Sequence, residues 1–319
     1  MRLIDIYNTA VRKGIENDPR TRFEIRKDLL KAGKEFRKLT GADKRSFDRE
    51  RLKNPYADTR ILYGDPLTDV RKVMVGIDME GPELLAADRM ASKGEGIDLV
   101  IANHPEGKAW AGFHDVMRLQ VAMLSRFGIP NDVADDLLKE RMEEVSRAVA
   151  PANHSRSVDI ARLVDMPFMC VHTPADNHVA TYLQRMFDRK KARILSQVVQ
   201  MLKGIPEYVD GMKKGEGPKI LIGEPGKDAG RVFVDMTGGT EGSKKIFPRL
   251  SQAGVGTIVA MHLSEEHFKS AKGEHINVVI AGHIASDTLG LNLLLDSVEK
   301  IGPLEIVECS GFVRVRRGR

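Results

Sequence analysis

The feature that most constrains this chain is an alternation that sets in near residue 72. Short β-branched runs give way in turn to amphipathic helical stretches, and several of the runs stop on a histidine. The runs "KVMVGIDM", "IDLVIA", "PFMCVH", "RVFVDM", "TIVAMH" and "INVVIAGH" have the length of buried strands. The segments between them, such as Pro82 to Lys93 and Asn131 to Ala148, carry apolar residues at helical spacing. Strand, helix and strand in repetition predict an α/β fold built on mainly parallel sheets.

The pattern also repeats on a larger scale. "VMVGIDMEGPELLAADRMASKGEGIDLVIANH" and "VFVDMTGGTEGSKKIFPRLSQAGVGTIVAMH" both read strand, turn, helix, Gly-x-Gly, strand and histidine, with Gly94 and Gly96 matched by Gly254 and Gly256. A βαβ unit used twice predicts two pseudo-duplicated α/β lobes with a cleft between or across them. The 319 residues are more than one small core needs and suit two lobes. We place the first at residues 57–212 and the second at 213–319. Residues 1–56, with apolar positions at Leu3, Ile6, Ala10, Ile15, Phe23, Leu29 and Phe36 among many charges, form an N-terminal helical extension.

Charge is uneven. Residues 1–60 hold 17 Lys+Arg against 10 Asp+Glu, which leaves 33 against 35 for the rest, so the net +5 is concentrated in the extension. Such a face is ordinarily just solvated, but it could attract phosphates or an acidic surface. An aromatic content of 5% argues against a stacking platform for single-stranded nucleic acid. Two cysteines, Cys170 and Cys309, make no disulfide framework. The first residues lack the apolar core of a signal peptide, and no run approaches the roughly 18 apolar residues of a membrane span. The expected setting is cytoplasmic, with no membrane partner.

In parallel α/β sheets, ligands bind at the carboxyl ends of the strands, and that is where these histidines fall. Asn103 and His104 end one strand. His172 ends another, with Asp176 four residues on, and His283 ends a third, with Asp287 four residues on. Any one of them alone would be an ordinary strand-end residue. Together they form an imidazole and carboxylate set suited to a divalent transition metal: zinc, iron, manganese or nickel, as one ion or two. His172 is either a ligand or the group that orients Asp176, and the orienting role is preferred. Glu106 and His178 adjoin these positions and are candidates for proton transfer. "TGGTEG" sets Gly238, Gly239 and Gly242 before a helix, which fits a tight turn better than a phosphate cradle. His262 and His267 are left outside the core site.

The stretches "ADTRILYGDPLTDVRKVMVGIDM", "GIDLVIANHP", "CVHTPAD", "VFVDMTGGTEG" and "VIAGHIASD" resemble, in that order, the Nif-three-like family (Ngg-one-interacting factor three), also known as GTP cyclohydrolase I type 2-like. The resemblance runs from about Ala57 to the end. It implies a two-lobed α/β protein with a two-metal cleft, commonly assembled as a ring-shaped homohexamer. Its ligands fall on His104, Asp176, His283 and Asp287. Its leading histidine falls on Asn103, and Asp287 stands where the family usually has Glu. A neutral amide is a poor ligand for a transition metal, so one of the two positions is expected to be weak or empty.

The leading functional expectation is a metal-dependent hydrolase using metal-activated water on a nucleotide-like or other small molecule. Its rival is a non-catalytic, metal-stabilised assembly or adaptor protein. A weaker alternative is nucleic-acid binding through the basic N-terminal region and Arg314, Arg316, Arg317 and Arg319, which predicts a steep fall of affinity with salt.

Overall fold

The computed structural model describes residues 1–318. The chain opens with α1 (Leu3–Glu16), α2 (Arg22–Lys38) and the short α3 (Gly41–Ser46). The first lobe then runs through β1 (Thr59–Tyr63), β2 (Lys72–Gly76), α4 (Gly81–Ala91) and β3 (Leu99–Ala102). A helical excursion follows, with α5 (Gly107–Ala111), α6 (Leu119–Arg126), α7 (Asn131–Val149) and α8 (Arg156–Leu163), before β4 (Phe168–Val171) and α9 (Thr173–Lys190). Two linking helices, α10 (Leu195–Lys203) and α11 (Pro206–Lys213), lead to β5 (Lys219–Ile222) and β6 (Arg231–Asp235). Then come α12 (Phe247–Gln252), β7 (Val255–Ala260), α13 (Glu265–Gly273), β8 (Asn277–Ile280), α14 (His283–Val298) and β9 (Glu305–Glu308).

The two sheets bear out the duplication. One has the order β1-β4-β3-β2-β9 and the other β5-β8-β7-β6. Each contains three successive parallel strands, β2-β3-β4 or β6-β7-β8, preceded by a leading strand that runs antiparallel to the third of them; β9 adds a fourth parallel strand to the first sheet. The central strands β3, β4 and β8 are buried along their whole length, as strands covered on both faces should be. "TRILY", which precedes the expected alternation, is the antiparallel β1.

Two features depart from the simple expectation. The strand at Glu305–Glu308, expected with the residues from 213 onward, pairs in parallel with β2 of the first sheet. The N-terminal extension is also not an appendage throughout. α1 presents Leu3, Ile6, Tyr7, Ala10 and Val11 at intervals of three and four, and these side chains enter a core cluster shared by Val73 and Leu99 of the first lobe and Ile258 and Leu291 of the second. α2 buries only Ile25 and Ala32 and leaves Phe23 and Leu30 exposed. Thr21 and Glu24 cap it reciprocally.

The contact between lobes that shapes the site is α9 against α14, the helices that follow β4 and β8. A Cβ at Gly290 would collide with the carbonyl oxygen of Ala175, so these backbones cross at a separation only glycine permits. Gly282, with φ at +110°, makes the turn from β8 into α14 in a conformation that other residues rarely adopt.

Candidate metal centre

His104 lies just beyond β3, His172 just beyond β4, and His283 is the first residue of α14. Asp176 and Asp287 sit in the opening turns of α9 and α14, both almost wholly buried. The helix crossing therefore brings carboxylates of the two lobes to the carboxyl ends of both sheets. Three imidazoles of the set and one more line up across the cleft. Ring centroids are 5.9 Å apart from His172 to His104, 5.3 Å from His104 to His283 and 5.0 Å from His283 to His262.

Among the described residues, the group of three whose ligand atoms all lie within 4.8 Å of one another is His104, His283 and Asp287. Asp287 Oδ2 lies 3.4 Å from Nε2 of His104 and 3.4 Å from Nε2 of His283, yet it is buried without a hydrogen-bond partner. A buried acceptor left unpaired is costly, and here it faces two ring nitrogens that bind metals. The donor set therefore fits a borderline divalent ion.

Carboxylates behind the rings fix their aim. His104 Nδ1 donates to Asp78 Oδ1 at 2.6 Å, which turns Nε2 toward the centre. His172 Nδ1 donates to Asp58 Oδ2 at 2.9 Å, and Asp58 also accepts from the Thr173 amide and hydroxyl. His172 Nε2 is left 3.7 Å from Asp176 Oδ2. Asp176 Oδ1 has no partner.

Both supporting carboxylates escaped the sequence, although the register contains them. Gly76 pairs with Ala102, so two residues further along the parallel strands Asp78 meets His104. Thr59 pairs with Val171 in the antiparallel β1–β4 ladder, so Asp58 meets His172.

Electrostatics follow from this packing. Burial opposes charge on His104, but Asp287 and Asp78 outweigh it and raise the imidazole to about 10. Burial raises Asp176 to about 7, with Asp287 and Asp58 adding repulsion against the pull of His172. Burial lowers His283, against the attraction of Asp287. Binding a cation would displace the proton from His104 and relieve the crowded carboxylates.

The remaining candidates separate. Asn103 is fully buried and its amide donates to Val171 O at 3.3 Å, tying β3 to β4, while Oδ1 is unpartnered. Glu106 is raised by burial, which the Ser157 hydroxyl opposes, and it is not in the trio. His178 is two residues from Asp176 on the same helix, roughly 200° around it. Its Nδ1 donates to Pro174 O and its Nε2 accepts from Asn17, so it faces the end of α1 rather than the cleft.

The glycine-rich turn is engaged by Gln120, whose amide donates to the carbonyls of Gly238 and Thr240. His267 is held by Ser264 and the Gly242 carbonyl. Of the arginines offered for nucleic-acid binding, Arg314 pairs with Asp296 and Glu299, Arg316 with Glu299 and Arg317 with Glu207; Arg319 lies outside the described residues. Among the described residues no helix is long and apolar enough to cross a membrane.

A duplicated α/β chain that gathers histidines and aspartates of both lobes at facing strand ends defines a class of two-lobed proteins with a candidate metal site. No family model and no curated protein matches this chain. Among solved structures it is similar to a NIF3 superfamily protein from Sphaerobacter thermophilus, with 25% identity, 89% of this chain and 97% of that one covered, and a TM-score of 0.70. It is also similar in fold to reduced HcgD from Methanocaldococcus jannaschii, with 13% identity, 82% and 93% covered, and a TM-score of 0.52. The chain belongs to the NIF3 superfamily.

Proposed function

We propose that this chain holds a divalent transition ion, one of zinc, iron, manganese or nickel, on His104, His283 and Asp287, and uses the site to hydrolyse a nucleotide-like or other small molecule. The observation that carries the reading is Asp287 Oδ2, buried and unpartnered between two imidazole nitrogens. When bound, such an ion polarises a substrate and lowers the pKa of water from 15.7 to ~7. Asp78 and Asp58 hold His104 and His172 in the tautomer that presents Nε2 to the cleft. His172 and Asp176 would hold a second ion. Asn103 could add only its amide oxygen, which favours single occupancy.

One observation favours a second reading. His104 belongs to the first lobe, just beyond β3, and His283 and Asp287 to the second, so the ion would staple the lobes whether or not it serves chemistry. Metal analysis of the purified chain after dialysis against zinc separates these ideas from their failure. Stoichiometric metal is expected in the wild type and at least ~10- to 100-fold weaker binding in Asp287→Ala, the range seen for losing even an outer partner. Equal, negligible metal in both would sink the site. Metal-loaded protein that hydrolyses nothing in a panel of small-molecule amides, amidines and phosphoesters would leave the staple.

A further inference from the structure

A cavity of about 70 Å³ adjoins the trio, and Asp235, Glu241 and His262 in its walls are groups that the metal reading does not use. It is lined by His172, Asp176, Asp235, Glu241, His262 and His283, and among the described residues no lysine or arginine lines it. Asp235 is the last residue of β6. Glu241 is held in place by the Ser264 amide, which donates to its Oε1 at 2.6 Å, and it stands 3.7 Å from His262 Nδ1. Asp176 is 4% exposed, and its Oδ1 has no hydrogen-bond partner.

We propose that this cavity receives a donor-rich, neutral or cationic head group of the substrate, an amino or amidino group, and that Asp235 and Glu241 select it. The proposal rests on the metal reading for its link to chemistry, since His172, Asp176 and His283 are shared by the cavity and the cleft. Its recognition argument stands on the walls alone. A carboxylate can only accept, and an N–H-rich head between two of them forms charge-assisted pairs. A phosphate placed there would set its oxygens against the carboxylates of Asp176, Asp235 and Glu241, with imidazoles but no Lys or Arg to meet it. Burial pushes Asp235 up to about 6, and the charge of Glu241 adds to the rise.

The test uses the full chain, metal-depleted, titrated calorimetrically with acetamidine and separately with inorganic phosphate. Acetamidine should bind the wild type at one per chain and phosphate should not. Asp235→Asn and Glu241→Gln should each weaken acetamidine by about tenfold or more, as expected for loss of a charge-assisted hydrogen bond. Circular dichroism checks the fold, and if Asp235→Asn misfolds, the less enclosed Glu241→Gln carries the comparison. No acetamidine binding, affinity unchanged in the variants, or phosphate binding as tight as acetamidine would overturn the proposal. So would a second stoichiometric zinc lost on Glu241→Gln, which would make that carboxylate a metal ligand. Failure of the metal reading shows separately, as absent zinc in the wild type, and leaves the metal-free titrations intact.

Discussion

At the scale of single residues, the site holds its own pH signature. In the metal-free chain His104 is raised to about 10 from an ordinary value near ~6.5, because Asp287 and Asp78 prevail over burial. A group whose folded value is raised contributes stability that is full below the unfolded value and is lost as pH climbs through the folded one. Asp176, raised by burial to about 7, acts in the same direction, favouring the folded chain least once it is ionised. The urea midpoint of metal-depleted protein should therefore carry a falling contribution between about pH 4 and 7 from Asp176 and between about 6.5 and 10 from His104. Zinc requires the neutral imidazole, so the midpoint gained on adding zinc should grow with pH through the His104 window. A zinc effect that shrinks with rising pH there would show that His104 is not a ligand.

At the scale of elements, the cleft depends on how closely α9 and α14 cross. Gly290→Ala would drive a methyl group against the Ala175 carbonyl, which is backbone and cannot rotate away. Overpacking of this kind costs typically ~1–3 kcal/mol. It should also part Asp176 from Asp287 and weaken zinc binding. Gly273→Ala, with nothing within 4 Å of the added atom, is the control and should leave both the urea midpoint and zinc affinity near wild type. Equal behaviour of the two variants would mean that the crossing does not set the site.

This dependence also shows what the sequence could and could not tell. His104, His172 and His283 were legible because each ends a buried run, and the i to i+4 spacing made Asp176 and Asp287 legible beside two of them. The convergence of the two helices was not, since a glycine inside a helix announces no partner. His178 misled because nearness in sequence is not nearness around a helix, and Asp58 and Asp78 stayed hidden because their partners are set by strand register. The place of β9 was equally hidden: with an exposed and half-exposed pattern, four residues do not say which sheet they will extend.

At the scale of the whole molecule, the lobes are distinct in topology but not in packing. α1 enters a core cluster shared by both lobes, α9 packs on α14, and β9 returns from the end of the second lobe to the edge of the first sheet beside β2. Phe312, beyond β9, is buried in the same cluster. Removing either lobe would strip apolar surface from the other, so neither has a complete core to fall back on. The chain should then unfold as one unit, unlike many proteins of this length. Trp110 in α5, the one tryptophan, reports the first lobe by its fluorescence, and hydrogen exchange of β6, β7 and β8 reports the second. The two urea midpoints should coincide and should move together when zinc is added, because the ligands span both lobes. A second lobe that exchanges at lower urea than the tryptophan transition, or a zinc shift confined to one probe, would establish that the lobes fold independently and that the ion does not couple them.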